Sequence, residues 1–295
     1  MRLSHPLFRT PLAVDLPLVE RPMPEGYCDW LDGVPLAATL PLWSVQEGRP
    51  GVDLDYGEVV DPYGFEDSPD CEWICGGVNS KGPAALAIGR QANRLFWGFS
   101  GDPSQMTPSA RQVFLNAIVW IDGYAGQAPL ETEREVTWLA GRESTLIDIG
   151  LYLHESKRVP GAAHVAHYRS QIPAGLLERC RDAPERMLAE CRARIECLTV
   201  NLREREVERL FDPVLERHGV SNRRPEFFDL LLRLLETPAD FADAAALQAR
   251  YLDPAVPRDA AGLRAWRDAH RDRLYFSDRF GYRWRIAPAG LKPRS

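Results

Sequence analysis

The pattern of apolar residues changes near Gly126, and this change constrains the fold more than any motif does. Before Gly126, short apolar runs are separated by Pro, Gly and acidic residues, which favours strands and loops. After it, apolar residues recur at the spacing of amphipathic helices. The 295 residues are enough for two domains of ordinary size. We therefore expect a small α/β domain over residues 1–126 and an α-helical domain over residues 127–295.

The distribution of charge supports a boundary at the same place. Residues 1–126 contain 8 Lys and Arg against 16 Asp and Glu, a net charge of −8, whereas the remainder carries a net charge of +2. Because an acidic surface repels nucleic acid, we expect no nucleic-acid partner. The sequence has no apolar run of about 18 residues, so we expect no membrane span. The N-terminal MRLSHPLFRTPLAVDLP lacks the apolar core of a signal peptide, which predicts a cytoplasmic protein unless a leader has been removed.

Two strands and one helix are the best-marked elements before Gly126. PAALAIGR (83–90) and NRLFWGFS (93–100) are apolar on both faces, as in strands that are covered on both sides. Thr107 is a good N-cap, Pro108 suits the first helical position, and Gly123 ends the pattern. The predicted buried face of this helix comprises Val113, Phe114, Ala117, Ile118 and Ile121.

The part after Gly126 is predicted to be helical until its last segment. The helical patterns are EREVTWLAG, TLIDIGLYLHES, PAGLLERCRDAPERMLAECRARIECL, REREVERLFDPVLERHG, PEFFDLLLRLLE and DFADAAALQARYL. The terminal LYFS and YRWRI, joined by a DRFG turn, predict a β-hairpin. Tyr282 and Trp284 share one face of this hairpin, which either packs on the helical domain or meets a partner.

Residues 76–122 resemble the last third of a glutamine-amidotransferase-like fold, and its ThuA-like branch most closely. The matching segments are ALAIGR, RLFWGFSG and the helix SARQVFLNAIVWID, and HPLFRT (5–10) resembles the HP-aliphatic-x-x-G opening of the late part of such domains. The string from GFEDSPDCEWICGGVNSKGP onwards and the tail AWRDAHRDRLYFSDRFGYRW also resemble an uncharacterised group of bacterial, planctomycete-type proteins. That second resemblance implies no activity.

The residues of an active amidotransferase are missing from this pattern. A class I enzyme needs a cysteine on a G-x-C-x-G elbow and a later His with Glu. The elbow would precede HPLF, where only four residues stand, and Cys28 lies in EGYCDW. No His-x-Glu follows the last strand. The resemblance therefore implies a partial, non-catalytic relative of the fold.

The acidic stretch over residues 61–83 is the predicted binding surface. GGVNSKGP does not have the P-loop order, and Gly76 and Gly77 are typical of a tight turn. The acids could supply oxygen ligands to a divalent cation, although they lack calcium-loop spacing, and a solvated acidic loop is the favoured interpretation. Asp67 before Ser68 and Pro69 resembles turn chemistry. The candidate binding residues are Glu66, Asp67, Asp70, Asn79 and Lys81.

Histidines and cysteines offer two further candidate sites. His164 and His167, at i and i+3, share a helical face and could bind a transition metal with His154 or Glu155, or they are polar residues of a partly exposed segment. The six cysteines include no C-x-x-C pair, and reduced, buried thiols are the favoured interpretation.

The sequence thus favours a non-catalytic binding or scaffolding protein with a protein or small-molecule partner. No cofactor is predicted, and a divalent metal stays open. The alternative is a metal-dependent hydrolase whose site lies at the junction of the two domains, where residues 61–82 with Lys81 would converge with the histidines at 154–167.

Overall fold

The chain folds into two compact units, and each unit is built from two separate segments of the sequence. The computed structural model describes residues 1–23, 37–47, 57–60, 64–79, 85–131, 141–203, 206–279 and 281–291. The first unit is Met1–Pro62 with Asp70–Leu130, and the second is Tyr63–Pro69 with Glu131–Ser295. Both contain helices and small antiparallel sheets, which agrees with the predicted mixture of α and β structure. The short excursion before Asp70 has no counterpart in the sequence-based division.

The first unit contains two antiparallel sheets. One pairs β1 (Val19–Pro22) with β2 (Thr39–Leu42). The other has three strands in the order β3 (Cys71–Gly76), β4 (Leu86–Gln91) and β5 (Arg94–Trp97). The two predicted strands are therefore present, and β4 lies at the centre of its sheet. Its residues are almost all buried, as their apolar character on both faces requires.

Helix α1 (Pro108–Asp122) begins and ends where its capping residues predict. The Thr107 Oγ1 accepts a hydrogen bond from the Ala110 N–H at 3.2 Å, and Gly123 is the C-cap. The predicted buried face is wrong at Ile118, whose side chain is 51% exposed. The inward stripe of α1 is instead built on Ala110, Val113, Asn116 and Ala117, which recur with helical spacing.

Asn116 fastens the N-terminal segment to α1. Its Nδ2 donates to the carbonyls of Leu7 at 3.0 Å and Leu12 at 2.8 Å, and its Oδ1 accepts from the Leu12 N–H at 2.9 Å. The Asn116 side chain is completely buried, so these three bonds satisfy a polar group that water does not reach. They hold Leu7 and Phe8 against the core that β3, β4 and α1 share.

The second unit is mainly helical and contains two hairpins. Its helices are α2 (Arg142–Arg158), α3 (Ala163–Ser170), α4 (Leu176–Arg179), α5 (Met187–Arg194), α6 (Pro213–His218), α7 (Glu226–Glu236), α8 (Phe241–Tyr251) and α9 (Ala260–His270). The predicted helix EREVTWLAG lies outside the described residues. None of the helices in the described ranges combines the length and the apolar composition that a membrane span requires.

The first hairpin of this unit corrects a helix prediction. REREVERLF was predicted to be helical, but β6 (Leu198–Arg203) pairs with β7 (Glu206–Phe211). The sequence of β7 also has the two-residue period of a strand, because one face carries Val207, Arg209 and Phe211 and the other carries Glu206, Glu208 and Leu210. The pairs Leu198–Phe211 and Val200–Arg209 lie opposite each other in the ladder. Cross-strand packing therefore overrides the helical propensity of Glu and Arg.

The second hairpin pairs β8 (Leu274–Ser277) with β9 (Arg283–Ile286), as predicted. Tyr282 and Trp284 are buried and belong to the core of the helical unit. Trp284 contacts Phe228 of α7 with ring centroids 4.9 Å apart, and Phe276 at 5.7 Å. The aromatic face of the hairpin therefore packs inside its own unit.

We predict that Asn116→Leu lowers the free energy of unfolding of the first unit by about 2 kcal/mol. Leucine has nearly the same size but leaves the bonded groups of Leu7 and Leu12 without partners. Urea unfolding followed by tryptophan fluorescence measures the change. The exposed Gln112 of the same helix supplies the control, because Gln112→Ala removes a polar side chain that the core does not contact. Equal midpoints for the two variants would contradict the role of Asn116.

Candidate functional site

A cleft in the first unit has the dimensions of a ligand site. Its volume is about 780 Å³, within the range of roughly 300–1,000 Å³ that small-molecule sites occupy. The cleft borders the sheet of β3, β4 and β5 and the chain that follows β2. It is lined by residues 40–46, 57–59, 75–79 and 98–99, together with Met1, Trp73 and Ala87.

One wall of the cleft depends on a close approach between Gly57 and Gly98. The Glu58 N–H donates to the Gly98 carbonyl at 2.8 Å, and the Gly98 N–H donates to the Ala87 carbonyl at 2.8 Å. A Cβ atom on Gly98 would lie 2.2 Å from the Glu58 carbonyl oxygen, and one on Gly57 would lie 2.0 Å from the Gly98 oxygen. Only glycine allows these backbones to meet, and their contact places Glu58 and Val59 beside the cleft.

Three aromatic side chains line the cleft. The orientation of the Trp43 ring is fixed by a hydrogen bond, because its Nε1 donates to the Ser109 Oγ at 2.9 Å. Phe99 packs edge-to-face on Trp97 with ring centroids 5.4 Å apart. Trp73, in β3, is partly exposed. Large, oriented rings of this kind supply most of the contact area in small-molecule sites.

Cys75 is a cleft-lining thiol that is poorly suited to act as a nucleophile. It is buried, and its Sγ lies 3.0 Å from the Gly76 carbonyl oxygen as a donor. Burial raises the pKa of the Cys75 thiol to about 11. Since the thiolate is the reactive form, the group is almost entirely protonated at neutral pH. Like Cys75, the other cysteines of the described chain (Cys71, Cys180, Cys191 and Cys197) are buried and form no disulfide, as expected of reduced thiols.

The predicted binding residues are dispersed rather than assembled. Asn79 lines the cleft. Glu66 and Asp67 lie in a short 3-10 helix that belongs to the second unit. Asp70 is buried in the first unit, and Lys81 lies outside the described residues. The acidic stretch is therefore not one solvated loop.

Asp70 is a structural carboxylate of the first unit. Its Oδ2 accepts a hydrogen bond from the Leu130 N–H at 2.9 Å, and its backbone carbonyl accepts from the Ala92 N–H at 2.8 Å. Only 1% of its surface is exposed. Asp70 thereby ties the start of β3 to the turn between β4 and β5 and to the last residue of the unit.

Asp67 joins a buried polar cluster of the second unit. Its Oδ2 accepts from the Asp278 N–H at 3.2 Å. This bond is a long-range one, whereas the sequence predicted a local turn at Asp67. Burial and the nearby Asp278 charge raise the pKa of Asp67 to about 8, although the Asp278 N–H and the Arg142 charge oppose them. Burial and Asp278 also raise the pKa of Glu143. Asp278 thus pairs with the Arg142 guanidinium, whose charge also acts on Asp67 and Glu143.

The Arg142 guanidinium is the centre of this cluster. It forms an ion pair with Asp278 and donates to the Asn222 Oδ1, and its Nε donates to the Ile195 carbonyl at 2.9 Å. Asn222 in turn donates to the Leu198 carbonyl at 2.8 Å and accepts from the Trp284 Nε1 at 2.8 Å. The groups are paired with one another inside the core, which is the arrangement of a structural network.

The three predicted histidine ligands lie at the other end of α2. The Nε2 atoms of His154 and His164 are 3.7 Å and 3.2 Å from the Glu155 carboxylate, and the Arg158 Nη1 lies 3.6 Å from it. His167 packs against Tyr168 with ring centroids 5.8 Å apart. Glu155 is therefore already neutralised by a guanidinium, and in the described part of the chain no group of three His, Cys, Asp or Glu is arranged to hold a metal ion.

The helix geometry separates the loop acids from the histidines. Arg142, beside Asp67, begins α2, and Glu155 lies 13 positions later in the same helix. At the rise of an α-helix the two ends are about 20 Å apart. Asp67 and the histidines therefore do not converge on one site within this unit.

Most residues of the cleft were not predicted from the sequence. Asn79 was a predicted binding residue, but Glu58, Trp43 and Gln46 were not, because the lining comes from segments that only long-range strand pairing brings together. A signal was present in the GFS that follows β5, since a glycine inside a strand pattern often marks a close backbone approach.

Comparison with known proteins adds no further assignment: no family model, curated protein or solved structure matches the chain.

Titration of Asp67 makes the stability of the second unit depend on pH. Because the folded pKa of Asp67, about 8, lies above the ordinary value of 3.8, the folded state keeps a proton that the unfolded state loses. The Asp67 contribution to stability therefore falls as the pH rises from about 4 to about 8 and is constant above that.

We predict that Asp67→Asn removes this slope. The amide oxygen still accepts the Asp278 N–H, so the variant should match the wild type near pH 4 and exceed it by about 2 kcal/mol near pH 9, a value well below full linkage because the side chain is partly accessible to water. Denaturant unfolding at several pH values measures this. The exposed Asp272 gives the control, since Asp272→Asn should run parallel to the wild type. A constant offset between Asp67→Asn and wild type would contradict the prediction.

Gly98→Ala tests the backbone contact beside the cleft. The added methyl group would overlap the Glu58 carbonyl oxygen, so we expect a loss of about 2 kcal/mol in the free energy of unfolding of the first unit. Gly123→Ala is the control for a milder contact, because a Cβ there lies 3.3 Å from the Trp120 carbonyl oxygen, and a shift of a few tenths of an ångström relieves it. Unfolding midpoints of both variants decide the matter, and an unchanged Gly98→Ala midpoint would count against the contact.

Proposed function

We propose that the protein is a non-catalytic binding protein that holds a small molecule in the cleft of its first unit. The observation that carries the proposal is the cleft itself. It has the volume of a ligand site, and its walls combine large aromatic rings with backbone and amide polar groups.

The chemistry of the lining supports binding without catalysis. The one cysteine of the described lining has a pKa of about 11. Among the lining residues that the structure describes, no histidine stands near it to serve as a base. A nucleophile at neutral pH needs a lowered pKa or an adjacent base, and Cys75 has neither among those residues.

A metal-dependent hydrolase remains the second candidate, with less support. Its site required the loop acids and the histidines to converge. Asp67 and Glu155 instead lie at opposite ends of α2, about 20 Å apart. The hydrolase proposal would regain support if the purified protein contained a stoichiometric metal.

We also propose that the first unit is a partial relative of the amidotransferase-like fold and that the protein works in the cytoplasm. The hairpin of β4 and β5, followed by the capped helix α1, agrees with the order of elements on which that resemblance rests.

A fragment screen by ligand-observed NMR tests the binding function. Val78 lines the cleft and is exposed, so Val78→Trp should fill the space without disturbing the core. We expect the wild type to bind several fragments and Val78→Trp to lose them, with each bound compound recovered chemically unchanged.

The matched control is Val119→Trp on the exposed face of α1, outside the cleft lining. It introduces the same side chain and should keep every fragment. The cleft is not the binding site if Val78→Trp still binds the fragments, or if Val119→Trp loses them equally. A screen in which no fragment binds the wild type would also contradict the proposal.

A further inference from the structure

We infer that the ligand of the cleft is an organic cation, such as a substituted ammonium or guanidinium compound. This inference rests on the proposed binding function and adds the chemical class of the ligand. It follows from the net charge of the first unit, the aromatic rings and the exposed Glu58 carboxylate of the described lining.

Glu58 supplies the negative charge. Its backbone is fixed, because its N–H donates to the Gly98 carbonyl at 2.8 Å. Its side chain is exposed at the cleft, and none of the described residues forms a hydrogen bond or an ion pair with its carboxylate. A carboxylate that is held in place by its backbone and has no internal partner is available to a ligand of opposite charge.

The described lining carries no basic side chain, since none of its residues is Lys, Arg or His. The α-amino group of Met1 lines the cleft as well, and its charge acts on the Cys75 thiol. The Cys75 thiol is neutral at physiological pH, since its pKa is about 11. The first unit, residues 1–62 and 70–130, carries 8 Lys and Arg against 14 Asp and Glu, so the field of the surrounding unit favours cations over anions.

The aromatic rings favour a cation that is also organic. The faces of Trp and Phe rings attract ammonium and guanidinium groups, and Trp does so most strongly. Trp73 already has such a partner in the protein, because the guanidinium carbon of Arg2 lies 5.8 Å from the centre of its ring. The inference therefore rests on the rings of Trp43 and Phe99. Trp43 and Phe99 extend the apolar wall. A bare metal ion would leave these rings unused, whereas an alkylated ammonium group contacts them and pairs with Glu58.

Three probes of similar size separate the charge from the ring. Benzyltrimethylammonium, benzyl alcohol and benzoate share a phenyl group and are cationic, neutral and anionic. NMR titration of the full chain gives their dissociation constants. We expect benzyltrimethylammonium to bind about tenfold more tightly than benzyl alcohol and benzoate to bind least.

Glu58→Gln and Asp122→Asn form the variant pair. Both remove one exposed negative charge of the first unit, but only Glu58 lines the cleft. Glu58→Gln should weaken benzyltrimethylammonium about fivefold and leave benzyl alcohol unchanged, whereas Asp122→Asn should change neither.

The inference is overturned if benzyl alcohol or benzoate binds as tightly as the cation, if Glu58→Gln leaves the cation affinity unchanged, or if Asp122→Asn weakens it equally. In the first case Val78→Trp separates the two proposals. If this variant abolishes the binding of the neutral or anionic probe, the cleft is still the binding site and only the cationic class of ligand is wrong. If none of the three probes binds, the cationic class falls, and the fragment screen alone decides the binding function.

Discussion

Two buried or half-buried carboxylates, three residues apart, hold the chain where it passes between its two units. Asp67 accepts the Asp278 N–H within the second unit, and Asp70 accepts the Leu130 N–H within the first. Asp67 is therefore bonded within the second unit, and Asp70 within the first. The strand β3 starts immediately after Asp70, so the sheet that borders the cleft begins at one of these fixed points.

This division changes the interpretation of the acidic stretch. Its acids looked like a solvated surface or a cation site, but Asp67 and Asp70 are used to satisfy backbone N–H groups. The proposed binding surface instead includes the apolar end of the same stretch, where Trp73, Cys75 and Gly76–Asn79 line the cleft. The Arg142 cluster and the histidines are left as structural and surface features of the second unit.

Local signals in the sequence predicted local structure well. Thr107, Pro108 and Gly123 define α1 because capping depends on a few adjacent residues. The hairpin of β6 and β7 was missed because its Glu and Arg residues also suit a helix, and only the cross-strand partners decide between the two. Ile118 was predicted to be buried because it is apolar. The buried face of α1 instead includes Asn116, which a search for apolar residues leaves out. The cleft could not be predicted, since its walls come from segments as distant as Trp43 and Phe99.

The central claim is that the first unit binds its ligand in this cleft. Amide chemical-shift mapping of the full chain during titration with a bound compound tests it most directly. The account predicts that the largest shifts fall on Gly76–Asn79, Gly57–Val59 and Gly98–Phe99, which line the cleft. Shifts that cluster instead around Arg142, around the histidines of α2 and α3, or on the exposed face of α1 would contradict it.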